Sequence, residues 1–219
     1  MNNVKMIWLA AATVVPFTTV LAQNIAVNAG LGLEYFQTPS LFQYLSGYAA
    51  PGSVTPGTFT TTVQFVVGGK YFFLDDWALG VEYGYIVKDY SGVYGPVDCS
   101  YSMPSLTLTR LLPGDGYYWS IGGAIGYHFA YVNQTLGNAN QTQNFSAHGL
   151  GVKVDAGIET KLGDTFYVRV AADVRGEFIG NFRSQDGTTL EINPGTSTER
   201  TINGYLSGVG LTFQLVYYF

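Results

Sequence analysis

The sequence predicts an all-β chain: an eight-stranded antiparallel up-and-down transmembrane β-barrel. Three observations carry that expectation. Apolar and polar residues alternate with a period of two in eight stretches, at about 25–36, 58–73, 77–88, 103–112, 117–132, 146–162, 166–179 and 203–219. The connections between them alternate in length, long after odd-numbered strands and tight after even-numbered ones. Charged residues are only 11% of the chain, against roughly 25% in soluble domains, while aromatics reach 16%.

Taken in order, Met1 to Ala22 reads as a secretory signal peptide. Lys5 supplies the positive end, Met6 to Val15 the apolar run, and Val20-Leu21-Ala22 a small-residue cleavage site before Gln23. Residues 23–219 form one barrel domain. The tight connections, Leu74-Asp75-Asp76, Pro113-Gly114-Asp115-Gly116 and Gly163-Asp164-Thr165, hold the Asp and Gly that turns require. The long ones span 37–57, 89–102, 133–145 and 180–202. Within the first, Ser40-Leu41-Phe42-Gln43-Tyr44-Leu45 can form a helical turn capped by Ser40, an exposed apolar patch for a partner, or a cover over the barrel mouth. The fourth is polar and is expected to extend as a hairpin.

Each strand has one bulky apolar face. Examples are Leu31, Leu33 and Tyr35 in the first strand, Val152 and Val154 in the sixth, and Phe213, Leu215, Tyr217 and Phe219 in the last. Aromatics gather at both strand ends with aliphatics between, as two membrane interfaces require. The opposite face is rich in Gly and holds Glu34, Lys70, Glu82, Lys88, Lys153, Asp155, Glu159, Lys161, Arg169, Asp173, Arg175 and Glu177. That set has six acids and six bases. A barrel of eight strands is wide enough only to be filled by side chains or to hold one small ligand. The bulky face is therefore expected outside and the small, charged face inside. A one-residue register shift would turn the charges outward, and each Arg or Lys at a bilayer midplane costs roughly 2–4 kcal/mol. Buried charges must pair, so a salt-bridge network plugging the lumen is expected. With Gly163-Asp164-Thr165 as a three-residue connection, Glu159 falls opposite Arg169 and Asp155 opposite Asp173. Lys153 then has Asp173 and Glu177 on its diagonals, and Asp155 has Arg175.

These features together resemble the eight-stranded, OmpA/OmpX-like family of small bacterial outer-membrane barrels, across about residues 23–219. The resemblance implies a Gram-negative outer membrane as location and its lipid and lipopolysaccharide as surroundings. It also implies recognition of Leu215, Tyr217 and Phe219 by the barrel-assembly machinery. The sequence stops with the barrel, so the peptidoglycan-binding domain of some relatives is not expected.

Other chemistry finds little support. A formal charge of −5 suggests no nucleic-acid partner. Neither metal-ligand spacing nor a phosphate loop stands out, and no cofactor is expected. The lone Cys99 reads as an incidental residue of a polar loop. His128 faces the lumen and His148 the lipid; Ser146 lies two residues before His148, without an adjacent orienting acid. No catalytic residues are assigned. The expected function is a non-enzymatic structural or adhesive barrel presenting four loops, with a surface ligand for those loops as a possible partner. The alternatives are a narrow porin-like channel for small solutes and, third, an enzyme acting on outer-leaflet lipid.

Overall fold

The computed structural model describes residues 24–47, 60–92, 95–136, 141–192, 197 and 199–219. The signal peptide expected over 1–22 lies outside these residues. Twelve elements follow in order: β1 (Ile25–Gln37), α1 (Pro39–Gly47), β2 (Thr60–Leu74), β3 (Trp77–Gly92), β4 (Gly95–Pro113), β5 (Tyr117–Leu136), β6 (Gln141–Lys161), β7 (Phe166–Ile179), β8 (Arg183–Ser184), β9 (Glu191–Ile192), β10 (Arg200–Thr201) and β11 (Leu206–Tyr218).

Strands β1 to β7 pair in antiparallel succession. β11 then joins β7 on one side and β1 on the other, which closes the sheet into an eight-stranded barrel. Closure satisfies every strand edge internally, the condition a sheet must meet to sit in hydrocarbon. The tight turns are as short as their sequences require. Gly116 has φ 81°, a left-handed conformation that glycine adopts without steric cost. β2 carries an irregularity between Phe72 and Leu74, which sets Leu74 against Trp77.

The bulky face points outward. Leu33, Val81, Val154, Val174 and Leu211 are each more than half exposed, as are Phe213 and Phe219. Near the β4–β5 turn Arg110 also faces outward, stands over the Trp77 ring and pairs with Asp76 at 3.0 Å.

Several expectations are corrected. Residues 89–102 and 133–145 are mostly not loops: β3 and β4 stay paired as far as Gly92 and Gly95, and β5 and β6 as far as Leu136 and Gln141. The fourth connection does contain antiparallel hairpin pairing, with Arg183 bridged to Thr189 and Asn181 to Asn203, but it also turns back on the barrel wall. Its β8 folds back to pair with β6, and β9 pairs with β10. The helix of the first connection starts one residue before Ser40, so Thr38 takes the capping position: its carbonyl accepts from Phe42 N at 2.9 Å and Pro39 occupies the first helical position.

The extended part has a core of its own. Leu41, Tyr44 and Leu45 of α1 pack with Ile86, Val97, Tyr101, Val132, Phe145, Phe182, Ile202 and Leu206. Of the readings open for the first connection, the helical turn and the cover over the barrel mouth are both observed, with the cap at Thr38 instead of Ser40. Cys99 belongs to this core and is buried, not in a polar loop.

Candidate functional site

The lumen is the place where this chain concentrates its chemistry. Inward positions recur every second residue, and adjacent strands bring them to common levels. Their contents form three levels, described here from the tight-turn end to the long-connection end.

In the first level Glu159 is fully buried and collects three donors. Lys70 Nζ lies 3.2 Å away, the Tyr218 hydroxyl donates at 2.6 Å, and Arg169 Nε stands at 3.4 Å. Arg169 also donates to Ser120 Oγ at 3.1 Å and pairs with Asp155. Two acids thus face two bases. Just above, Asn28 Nδ2 donates to Gln214 Oε1 at 3.1 Å.

The middle level is one bond across the barrel, from Lys153 on β6 to Glu82 on β3. A gap of about 10 Å³ lies between the first two levels, bounded by Asn28, Lys70, Glu82, Thr107, Asp155 and Gln214. It is at the lower limit of what holds a single water.

In the third level Arg175 is almost wholly buried. Its Nη2 lies 2.9 Å from Glu34 and 3.0 Å from Asp173, and donates to Gln64 Oε1 at 3.1 Å. Beside it, His128 Nδ1 meets Glu177 and His128 Nε2 lies 2.9 Å from Ser105 Oγ. A Cβ at Gly151 would overlap both the His128 ring and the Glu177 carboxylate, so the bare backbone there makes room for the pair.

Most of the twelve residues expected in the lumen are brought together. Glu159 sits opposite Arg169 and Asp155 opposite Asp173, as the turn length requires. The diagonal partners differ. Lys153 reaches Glu82 rather than Asp173 or Glu177, and Asp155 meets Arg169 rather than Arg175. Lys153 is long enough to cross the lumen to β3, whereas Arg169 reaches along the neighbouring strand pair to Asp155.

Two residues stand outside the network. Lys161 is half-exposed beside Asp164 at the β6–β7 turn, because its position lies beyond the last enclosed level. Lys88 lies at the other end and donates to the Thr61 carbonyl at 3.1 Å.

The serine, histidine and glutamate at the third level were not assembled from sequence, because they come from β4, β5 and β7. The order of hydroxyl, imidazole and carboxylate is that of an acyl-transfer relay. Here, however, His128 is only 4% exposed and packed between glycine backbones, and the apolar core closes the level above. His148 lies outward, against Tyr127 and Phe129. Ser146 is likewise exposed on the outer face of β6.

No known family profile matches the chain, and no curated protein matches it in sequence. Solved structures do match. Neisserial surface protein A (NspA) superposes with a TM-score of 0.59 at 11% identity, covering 89% of this chain and 97% of that one. A major outer membrane protein from Thermus thermophilus gives 0.54 at 11% identity, covering 89% and 99%. Ail, the attachment invasion locus protein of Yersinia pestis, in complex with the heparin analogue sucrose octasulfate, gives 0.50 at 10% identity, covering 90% and 98%. At these identities the likeness concerns the backbone, and it extends over nearly the whole of each relative. The fold of this chain is that of the eight-stranded outer-membrane β-barrels.

Proposed function

We propose that the protein is a non-enzymatic outer-membrane barrel, structural or adhesive, that presents its long-connection end to the exterior on a plugged scaffold. The observation that carries this reading is the division of the barrel wall. Aliphatic side chains form its outer band, aromatic residues stand at both ends of that band, and the lumen is filled by paired charges. Such an outer surface suits bilayer hydrocarbon, and a filled lumen leaves no path for solutes.

The exterior end has a definite chemical character. Among the described residues beyond the band, the acids Asp89, Asp98, Asp186, Glu191 and Glu199 outnumber the bases Lys88, Arg183 and Arg200. Such a surface does not suit a polyanion like the heparin analogue bound by Ail. Uncharged hydrogen-bonding groups dominate it, including Asn133, Thr142, Gln143, Asn144, Gln185 and Thr188. A neutral polar partner fits it better.

Two measurements test this reading. Folded protein in a planar bilayer is expected to give no steady conductance; stable large openings would refute the plug. A fluorophosphonate probe is expected to leave Ser105 unlabelled in the folded protein, and labelling that depends on His128 would refute the non-enzymatic assignment.

A further inference from the structure

At the tight-turn end the barrel does not finish flat. Four inward-facing aromatic residues stand around an open cavity of about 380 Å³: Phe72 on β2, Tyr118 on β5, Tyr167 on β7 and Tyr218 on β11. Their rings touch in series. Phe72 and Tyr218 have centroids 5.7 Å apart, Tyr218 and Tyr167 4.8 Å, and Tyr167 and Tyr118 6.1 Å. The sequence arranges this through register, since each stands at the tight-turn end of its strand: Phe72 and Tyr218 near the finish of theirs, Tyr118 and Tyr167 near the start. The ring of Tyr218 is fixed by its hydroxyl, which donates to buried Glu159.

Charge decides what this cup suits. The bases at its inner end are already matched: Lys70 is held by Glu159, and Arg169 by Asp155 and Glu159. An anion entering the cup would therefore find no unmatched base there. At the mouth, Asp75 and Asp164 line the cavity. One base stands near them, Lys161, half-exposed and 3.8 Å from Asp164. Aromatic faces attract cations through their quadrupole, and several rings around one volume are the known means of holding quaternary ammonium groups. The volume falls within the usual range of small-molecule sites.

We propose that this aromatic cup is a binding site for a small organic cation of the alkylammonium or quaternary ammonium class. The rings supply the recognition, and Asp75 and Asp164 supply attraction at the mouth. The site opens on the side opposite the long connections, so it would meet ligands in the compartment facing the tight turns. It uses none of the residues that fill the third level of the lumen, and it stands or falls apart from the adhesive reading.

The test uses the full protein folded in a maltoside detergent, because phosphocholine detergents carry the proposed ligand chemistry themselves. Choline is titrated in parallel with 3,3-dimethylbutanol, its neutral isostere, and binding is followed by calorimetry or by NMR shifts of the tyrosine rings. Saturable choline binding is expected, at least about tenfold tighter than that of the neutral compound. Tyr167→Leu is expected to weaken it about tenfold, and Asp75→Asn a few-fold, with a reduced salt dependence. The Tyr218→Phe protein retains the ring and is expected to keep most of the binding. Equal affinity for the two compounds would overturn the proposal in favour of a merely apolar recess. So would the absence of saturation with choline while gel mobility shows the barrel folded.

Discussion

Two parts of one barrel obey opposite rules. In the band below the long connections, apolar side chains face out and ionic ones face in. Above it β3 to β6 continue and the polarity reverses. The inward positions become Phe36, Ile86, Met103, Ala130, Ala147, Ile179 and Leu206, one on each strand except β2. The outward ones become Asp98, Ser100, Asn133, Asn144 and Ser146. The pairing of β3 with β4 and of β5 with β6 runs unbroken through the change, so in these pairs the backbone is not what changes. What changes is the solvent each part is built for: hydrocarbon around the band, water around the extension. On the proposed reading, the reversal is the level at which the chain would leave the bilayer.

The largest expected effect tests the ionic interior of the band. Arg175→Leu removes the guanidinium facing Glu34 and Asp173 and leaves two buried carboxylates together. Breaking a buried pair in this way costs about 3–5 kcal/mol. Urea unfolding from lipid vesicles should show that loss, and adding Glu34→Gln and Asp173→Asn should restore much of it. If Arg175→Leu left the unfolding midpoint unchanged, the charges would not be what holds the lumen.

A matched pair of substitutions on the outer wall tests the boundary itself. Val174→Lys places a charge in the middle of the apolar band, where roughly 2–4 kcal/mol is lost. Ser100→Lys places the same charge outward but above the reversal, where a surface substitution changes stability by no more than about 0.5 kcal/mol. The difference should be seen in vesicle unfolding. Equal effects would mean that the boundary is misplaced or that the band does not sit in lipid.

Gly126 sharpens the contrast at the join. A Cβ there would overlap the Pro104 carbonyl, a backbone atom that cannot swing away, as well as His128 and Ser105. Gly126→Ala is therefore expected to cost about 1–3 kcal/mol, as overpacking does. Gly163→Ala, where nothing lies within 4 Å, should have little effect.

This contrast also explains what was legible in the sequence. The outward register of the band follows from period and volume alone, and Leu33, Val154 and Phe213 lie where that argument puts them. The extensions were harder. Val97, Cys99, Tyr101 and Met103 still alternate with Asp98, Ser100 and Ser102, but the small polar residues and nearby Ser91, Gly92 and Pro96 imitate a loop. The signal was a period that persists while its polarity changes sides. Partners across the lumen were not legible, because hairpin register fixes neighbours on a sheet and says nothing about which long side chains meet across it. Glu82 with Lys153 is one such pair, and Ser105, His128 and Glu177 are another such group.

The smallest expected effect concerns Cys99, which distinguishes an incidental loop thiol from a core one. It is 3% exposed within the core of the extension. Burial, with the nearby Asp98 and Asp89 charges, pushes its thiol up from an ordinary 9.0 to about 12. The folded protein therefore keeps the proton over a range where the unfolded chain has lost it. Stability from this group is complete below pH 9, falls as pH rises through the interval, and is gone above about 12. Two measurements follow. A water-soluble maleimide at neutral pH should label Cys99 slowly in the folded barrel and rapidly once urea unfolds it. Between about pH 9 and 11 the native protein should lose stability faster than the Cys99→Ala variant does. Rapid labelling of the folded protein would place the thiol in water, and with it the part of β4 that is taken here as the wall of a second, soluble core.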